Sequence, residues 1–152
     1  MNDTDFEHLW KNLVDRKYGR QKPPLNRSEC LLYGLNLYAG GVPRSGMIGY
    51  FKNSTSNEII DAKSALEILN LEEHIQILDK AQSILLGDRQ LEPNEEQIQI
   101  LNRDLSQEEY EEQSEQFENR IAPLEDDFEA MEDDLYDGID KFIETQHITK
   151  TG

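Results

Sequence analysis

Leu124-Glu125-Asp126-Asp127-Phe128-Glu129-Ala130-Met131-Glu132-Asp133-Asp134-Leu135-Tyr136-Asp137-Gly138-Ile139-Asp140-Lys141-Phe142-Ile143-Glu144-Thr145 holds ten carboxylates against one base, yet its apolar residues keep a helical beat. Leu124, Phe128, Met131, Leu135, Ile139, Phe142 and Ile143 recur three or four apart, and Phe117 and Ile121 extend the stripe upstream. An acidic chain poor in apolar residues would stay unfolded. Here the periodicity predicts folded helices that carry a dense carboxylate field, ending in one long helix over Leu124–Thr145.

Charge is distributed unevenly along the 152 residues. Of the net −17, the segment 101–144 supplies 17 acids against Arg103, Arg120 and Lys141, whereas residues 1–100 hold 15 acids and 11 bases. The 21 residues 124–144 would span about 31 Å as a helix, a length over which duplex DNA carries roughly 18 charges. One such helix thus reaches about half the linear charge density of DNA. The preceding segment adds Glu108, Glu109, Glu111, Glu112, Glu115 and Glu118. Two acidic helices side by side, or a homodimer, would approach the duplex value.

This arrangement costs stability, because like charges four apart, as in Glu125–Glu129, Glu129–Asp133 and Asp133–Asp137, are each unfavourable by about 0.2–0.5 kcal/mol in a helix. A surface selected only for solubility would mix its signs. The plain alternative is a solvated face, partly neutralised by Arg16, Lys17, Arg20, Lys22 and Arg27. A strongly negative protein is repelled by free nucleic acid and anionic membranes, so its expected partners are basic proteins.

Helices are expected throughout. Phe6, Leu9, Trp10, Leu13 and Val14 make one stripe over Asp3–Tyr18. Asn26 with Glu29 reads as a capping box for a second helix ending at Gly40-Gly41. Gly-Gly-Val-Pro-Arg-Ser-Gly-Met-Ile-Gly at 40–49 reads as a loop. Tyr50 and Phe51 should then enter the core, with Asn53 and Ser54 capping the next segment. Further helices are expected over Glu58–Leu69 and Glu72–Leu86, and a short one after Pro93. Another should start at the Ser106/Glu109 box and be interrupted by Pro123. No strand alternation or repeat is present. The expected fold is a single all-α domain of six to eight helices: residues 1–27 an N-terminal helix and basic connector, 28–100 a helical core, 101–145 the acidic helices, and 146–152 a tail.

Chemistry-bearing motifs are weak. Asp133, Asp137, Gly138 and Glu144 fit four positions of a calcium loop, but Leu135 and Asp140 occupy positions where an oxygen ligand and an apolar residue belong. His8, His74 and His147 lack metal-ligand spacing, and the first two are expected on helix surfaces. Gly40-Gly41 is followed by no Lys-Ser/Thr of a phosphate loop, and no nucleophile elbow occurs. No catalytic residue, metal or cofactor is therefore assigned. Cys30 stands alone beside Leu31 and Leu32, which suggests a buried thiol in a reducing, cytoplasmic setting. No apolar run reaches the ~20 residues that span a bilayer, and the acidic N-terminus does not resemble a secretion signal.

Tyr38-Ala39-Gly40-Gly41, Gly49-Tyr50-Phe51-Lys52-Asn53-Ser54 and the late Leu124-Glu125-Asp126-Asp127-Phe128 together resemble a family of small acidic helical proteins named for a DNA mimic. The resemblance runs from about Ser28 to Ile143, with Ala39 standing where that family usually has Asn. It implies a compact helical fold. For function it implies a decoy for duplex DNA that occupies a DNA-binding protein, such as a helix-turn-helix transcription regulator.

The expected function is accordingly a DNA-like competitor that binds a basic, DNA-binding protein without touching nucleic acid or membrane itself. The expected partner-binding residues are Glu125, Asp126, Glu129, Asp133, Asp134 and Asp137, flanked by Glu111, Glu112 and Glu115, each replacing a phosphate in charge-assisted contacts to Lys and Arg. The rival readings are an immunity-type inhibitor of a basic toxin nuclease and a helical domain without polyanion mimicry.

Overall fold

A computed structural model describes residues 3–19, 23–100 and 105–148. Six helices follow in order: α1 (Asp3–Tyr18), α2 (Arg27–Asn53), α3 (Ser56–Ile68), α4 (Glu72–Leu86), α5 (Gln107–Ala130) and α6 (Glu132–Thr145). Among the described residues there is no strand. The fold is all-α, as the periodicity predicted.

The centre of the molecule is α2, against which α1, α3, α5 and α6 all pack, while α4 lies on α3 and α5. A helix surrounded on several sides must be apolar on several sides. Leu31, Leu32, Leu35, Tyr38, Ala39, Val42, Met47, Tyr50 and Phe51 are all buried. Its entry is capped as expected: the Asn26 side chain accepts the Glu29 N–H at 2.9 Å, and Glu29 accepts the Asn26 N–H at 3.0 Å. Arg16 of α1 forks onto the same Glu29 carboxylate and donates to the Pro23 and Pro24 carbonyls, tying α1 to the connector. Burial alone would raise the Glu29 pKa; the Arg16 hydrogen bond and charge and the Asn26 N–H together lower it.

The expected loop at 40–49 is a correction. Helix continues through Gly40-Gly41-Val42-Pro43 and changes direction only at Gly46, at φ 74°, ψ 169°. Glycine takes this positive φ at little cost, which a side chain would not. Packing overrides local preference here, since Ala39, Gly41 and Val42 are buried inside the bundle. The second arm of α2 then carries Tyr50 and Phe51 into the core as expected.

Three smaller expectations also change. Thr55, not Asn53 or Ser54, caps α3 in a box with Glu58, and Ser54 Oγ instead donates to the Tyr50 carbonyl at 2.7 Å. Among the described residues 94–100 no helix forms; Glu95 exchanges hydrogen bonds with Ser56, and Asn94 with Asn57, so this segment clips onto the start of α3. Cys30 is half-buried rather than buried, and desolvation, then the Asp61 charge, push its thiol pKa up.

Candidate partner-binding surface

Ser106 starts α5 by accepting the Glu109 N–H at 3.2 Å, with the two side chains 3.0 Å apart. Pro123 does not interrupt this helix. The break comes eight residues later at Met131, so the single long acidic helix expected over Leu124–Thr145 is two helices, α5 and α6. These share little surface and do not lie side by side, because α5 rests on α4 and α2 while α6 rests on α2.

His74 holds that break. It is 1% exposed, not on a helix surface as the sequence suggested. Its Nε2 lies 2.9 Å from the Met131 carbonyl and its Nδ1 lies 2.9 Å from the Tyr38 hydroxyl. A carbonyl only accepts, so Nε2 carries the proton and Nδ1 accepts from Tyr38. Tyr38 and Phe128 pack edge-on against the imidazole. Burial lowers the His74 pKa, against the opposing pull of the Met131 carbonyl, Asp134 and Glu73.

The apolar stripe is buried except at Phe117 and Met131, which are half-buried. Ile121, Leu124 and Phe128 of α5, and Leu135, Ile139, Phe142 and Ile143 of α6, are buried. At 100° per residue, the opposite face of α6 is Asp133, Asp137, Asp140 and Glu144, all exposed. On α5 the outward residues include Glu108, Glu112, Glu115 and Asp126, with Glu111 and Glu129 beside them, again exposed. Uncharged Asn119, Ala122 and Pro123 separate the two groups of α5 carboxylates. Across the 24 residues of α5, about 36 Å, ten acids face one base, against roughly 21 charges on duplex DNA of that length.

Eight of the nine expected contact residues, Glu111, Glu112, Glu115, Asp126, Glu129, Asp133, Asp134 and Asp137, are exposed. Glu111 also accepts from Gln107 at 3.1 Å. Glu129 and Asp133 fall on opposite sides of the Met131 break and are not a pair within one helix. Glu125 is different: it is only half exposed, and its Oε2 accepts the Met47 N–H at 2.9 Å. Sequence reasoning had no signal for that role, since its partner lies 78 residues away.

Ion pairs engage Glu29, Asp61, Asp79 and Glu95, and none of these takes a carboxylate from α5 or α6. Arg16 and Arg27, which the solvated-face alternative set against the acidic face, are bound to Glu29 and Asp61. Arg20 and Lys22 lie outside the described residues. Among those described, no group of three or more His, Cys, Asp or Glu is arranged to hold a metal ion, and no helix is long and apolar enough to cross a membrane.

No curated protein and no solved structure matches this chain. A family model, described as DMP19-like protein, does match, over residues 23–146. That span takes in α2 to α6, including the central helix and both acidic helices. DMP19 names a family of DNA-mimic, non-catalytic proteins. The chain belongs to the DMP19-like family.

Proposed function

We propose that this protein uses the outward carboxylates of α5 and α6 to bind a basic, DNA-binding protein and to compete there with nucleic acid. One observation carries this reading. The exposed acids of α6 and of the second half of α5 stand on helix backed by buried apolar residues, Ile121, Leu124 and Phe128 and then Leu135, Ile139, Phe142 and Ile143, and no base of a described residue neutralises the acids of either helix in an ion pair. Fixed charges on a rigid support bind a complementary cationic surface without first having to be ordered. Loose charges on a disordered tail would incur that entropy on binding.

The contact residues are Glu111, Glu112, Glu115, Asp126, Glu129, Asp133, Asp134 and Asp137, with Asp140 and Glu144 extending the face along α6. They stand in for phosphates against Lys and Arg. The Met131 bend sets the two groups at an angle that a single straight helix would not give, so the target should present its cations on a curved rather than a flat surface. Glu125 contributes from behind, by holding α5 to α2.

The test is capture from a nuclease-treated lysate of the source cell on immobilised protein, eluted by salt and challenged with duplex DNA. A basic DNA-binding protein that elutes at moderate salt and is displaced by DNA is the expected result. It should be absent from a column bearing Asp126→Asn, Asp133→Asn and Asp137→Asn together. Retention unchanged at 0.5 M salt, about a 4 Å screening length, would sink the electrostatic mechanism. Recovery of a basic toxin would reassign the same surface to immunity.

A further inference from the structure

A second feature lies beside the α6 carboxylates, where α1, the middle of α2 and α6 meet around a cavity of about 190 Å³. Phe6, Trp10 and Tyr136 give it aromatic walls, and Asn36, Gly40 and Arg44 line it from α2. An engineered apolar cavity of about 150 Å³ takes up benzene, whereas drug-sized ligands need 300 Å³ or more. The space suits one planar ring system.

Asn36 is the unexplained group. It is 8% exposed, and neither its Nδ2 nor its Oδ1 has a hydrogen-bond partner in the protein. A buried carboxamide with both ends unmet is uncommon in a native fold. Its terminal torsion is soft, so rotation about it can present either atom to the cavity. Ala39 lines the same wall, and Pro43 one turn on has no N–H to donate to the Ala39 carbonyl. The wall thus offers the donor and the acceptor of the Asn36 carboxamide, flanked by faces on which a ring can stack.

We propose that this cavity is a binding site for a nucleobase. Asn recognises the adjacent donor and acceptor of a base edge by paired hydrogen bonds, and aromatic side chains stack on the face of any base. The exposed Arg44 can cover the outer face of the ring, as guanidinium groups do. With a net charge of −17, the chain repels anions at long range, so the uncharged nucleoside is the form expected to bind best.

Titration of the full chain with adenosine, guanosine, cytidine and uridine, each to millimolar concentration, tests this by calorimetry or ligand-observed NMR. Two variants localise any binding. Asn36→Leu keeps the volume and removes both polar atoms. Gly40→Leu fills the cavity, because a Cβ at Gly40 meets nothing within 4 Å. The expected result is submillimolar binding of at least one nucleoside, weakened tenfold or more in each variant that retains its helical spectrum. If Asn36→Leu does not fold, Gly40→Leu decides alone. Two results overturn the proposal: no nucleoside binding to the wild-type chain, which would leave a cavity that holds water only, or binding that survives in the folded variants.

Discussion

Glu125 of α5 caps the backbone of Met47 in α2: its carboxylate accepts the Met47 N–H at 2.9 Å, just past the point where Gly46 turns the chain at φ 74°. The second arm of α2 begins there, with N–H groups that have no helical partner. A carboxylate at a helix start satisfies one of them and suits the positive end of the dipole. One residue of the acidic run therefore serves the fold, while its neighbours face outward.

Removal of that cap should cost stability. A hydrogen bond to a charged group contributes about 1.5–3 kcal/mol, so Glu125→Ala should lose an amount in that range, and Glu125→Gln, which keeps an acceptor, clearly less. Urea unfolding of the three proteins would measure this. A Glu125→Ala midpoint equal to wild type would show that the bond contributes nothing.

α2 approaches α3 closely at Gly34. A Cβ there would lie 2.8 Å from the Glu58 carbonyl oxygen and 3.0 Å from the Ala62 nitrogen, both backbone atoms that cannot swing away. Gly34→Ala should therefore destabilise by about 1–3 kcal/mol despite the better helix propensity of alanine. A thermal midpoint that rises instead would mean that the helices separate freely at this crossing.

His74 makes stability depend on pH. Its folded pKa lies below the ordinary 6.5, chiefly because burial disfavours the cation. The unfolded chain then takes up the proton first as pH falls. Its stabilising contribution is present above about pH 6.5 and is lost on acidification toward the folded pKa. Relief of carboxylate repulsion acts in the opposite sense but is common to wild type and variant. The difference in stability between wild type and His74→Gln should thus shrink from pH 7.5 to pH 5.5. A constant difference across that range would contradict the neutral tautomer assigned here.

The outward acids should trade stability for binding. Asp133 and Asp137 are exposed and four apart on α6, so Asp137→Asn removes a repulsion of about 0.2–0.5 kcal/mol. The variant should be as stable as wild type or slightly more so, while its affinity for the captured partner falls and the salt dependence flattens. Urea unfolding and binding titrations at several salt concentrations would report both. Loss of stability without loss of affinity would make this face structural.

Leu135, Ile139 and Phe142 show why the helices were legible: their spacing depends on local geometry alone, and the core accepted the face it defines. The Asn26/Glu29 and Ser106/Glu109 caps were readable for the same reason, since each partner lies three residues away. Gly40-Gly41-Val42-Pro43 misled because its loop chemistry is local while the packing around it is not. Pro123 misled likewise, being tolerated within α5, which instead ends at Met131.

The sequence by itself determined the helical class, the apolar stripe and the excess of carboxylates over residues 101–144, because periodicity and charge are properties of the chain. Tertiary structure decided that α2 runs on to Asn53, that His74 secures the break at Met131, and that Glu125 turns to Met47 while its neighbours stay exposed. Those outcomes depend on buried polar groups finding partners far along the chain, and only the folded packing brings such partners within hydrogen-bond distance.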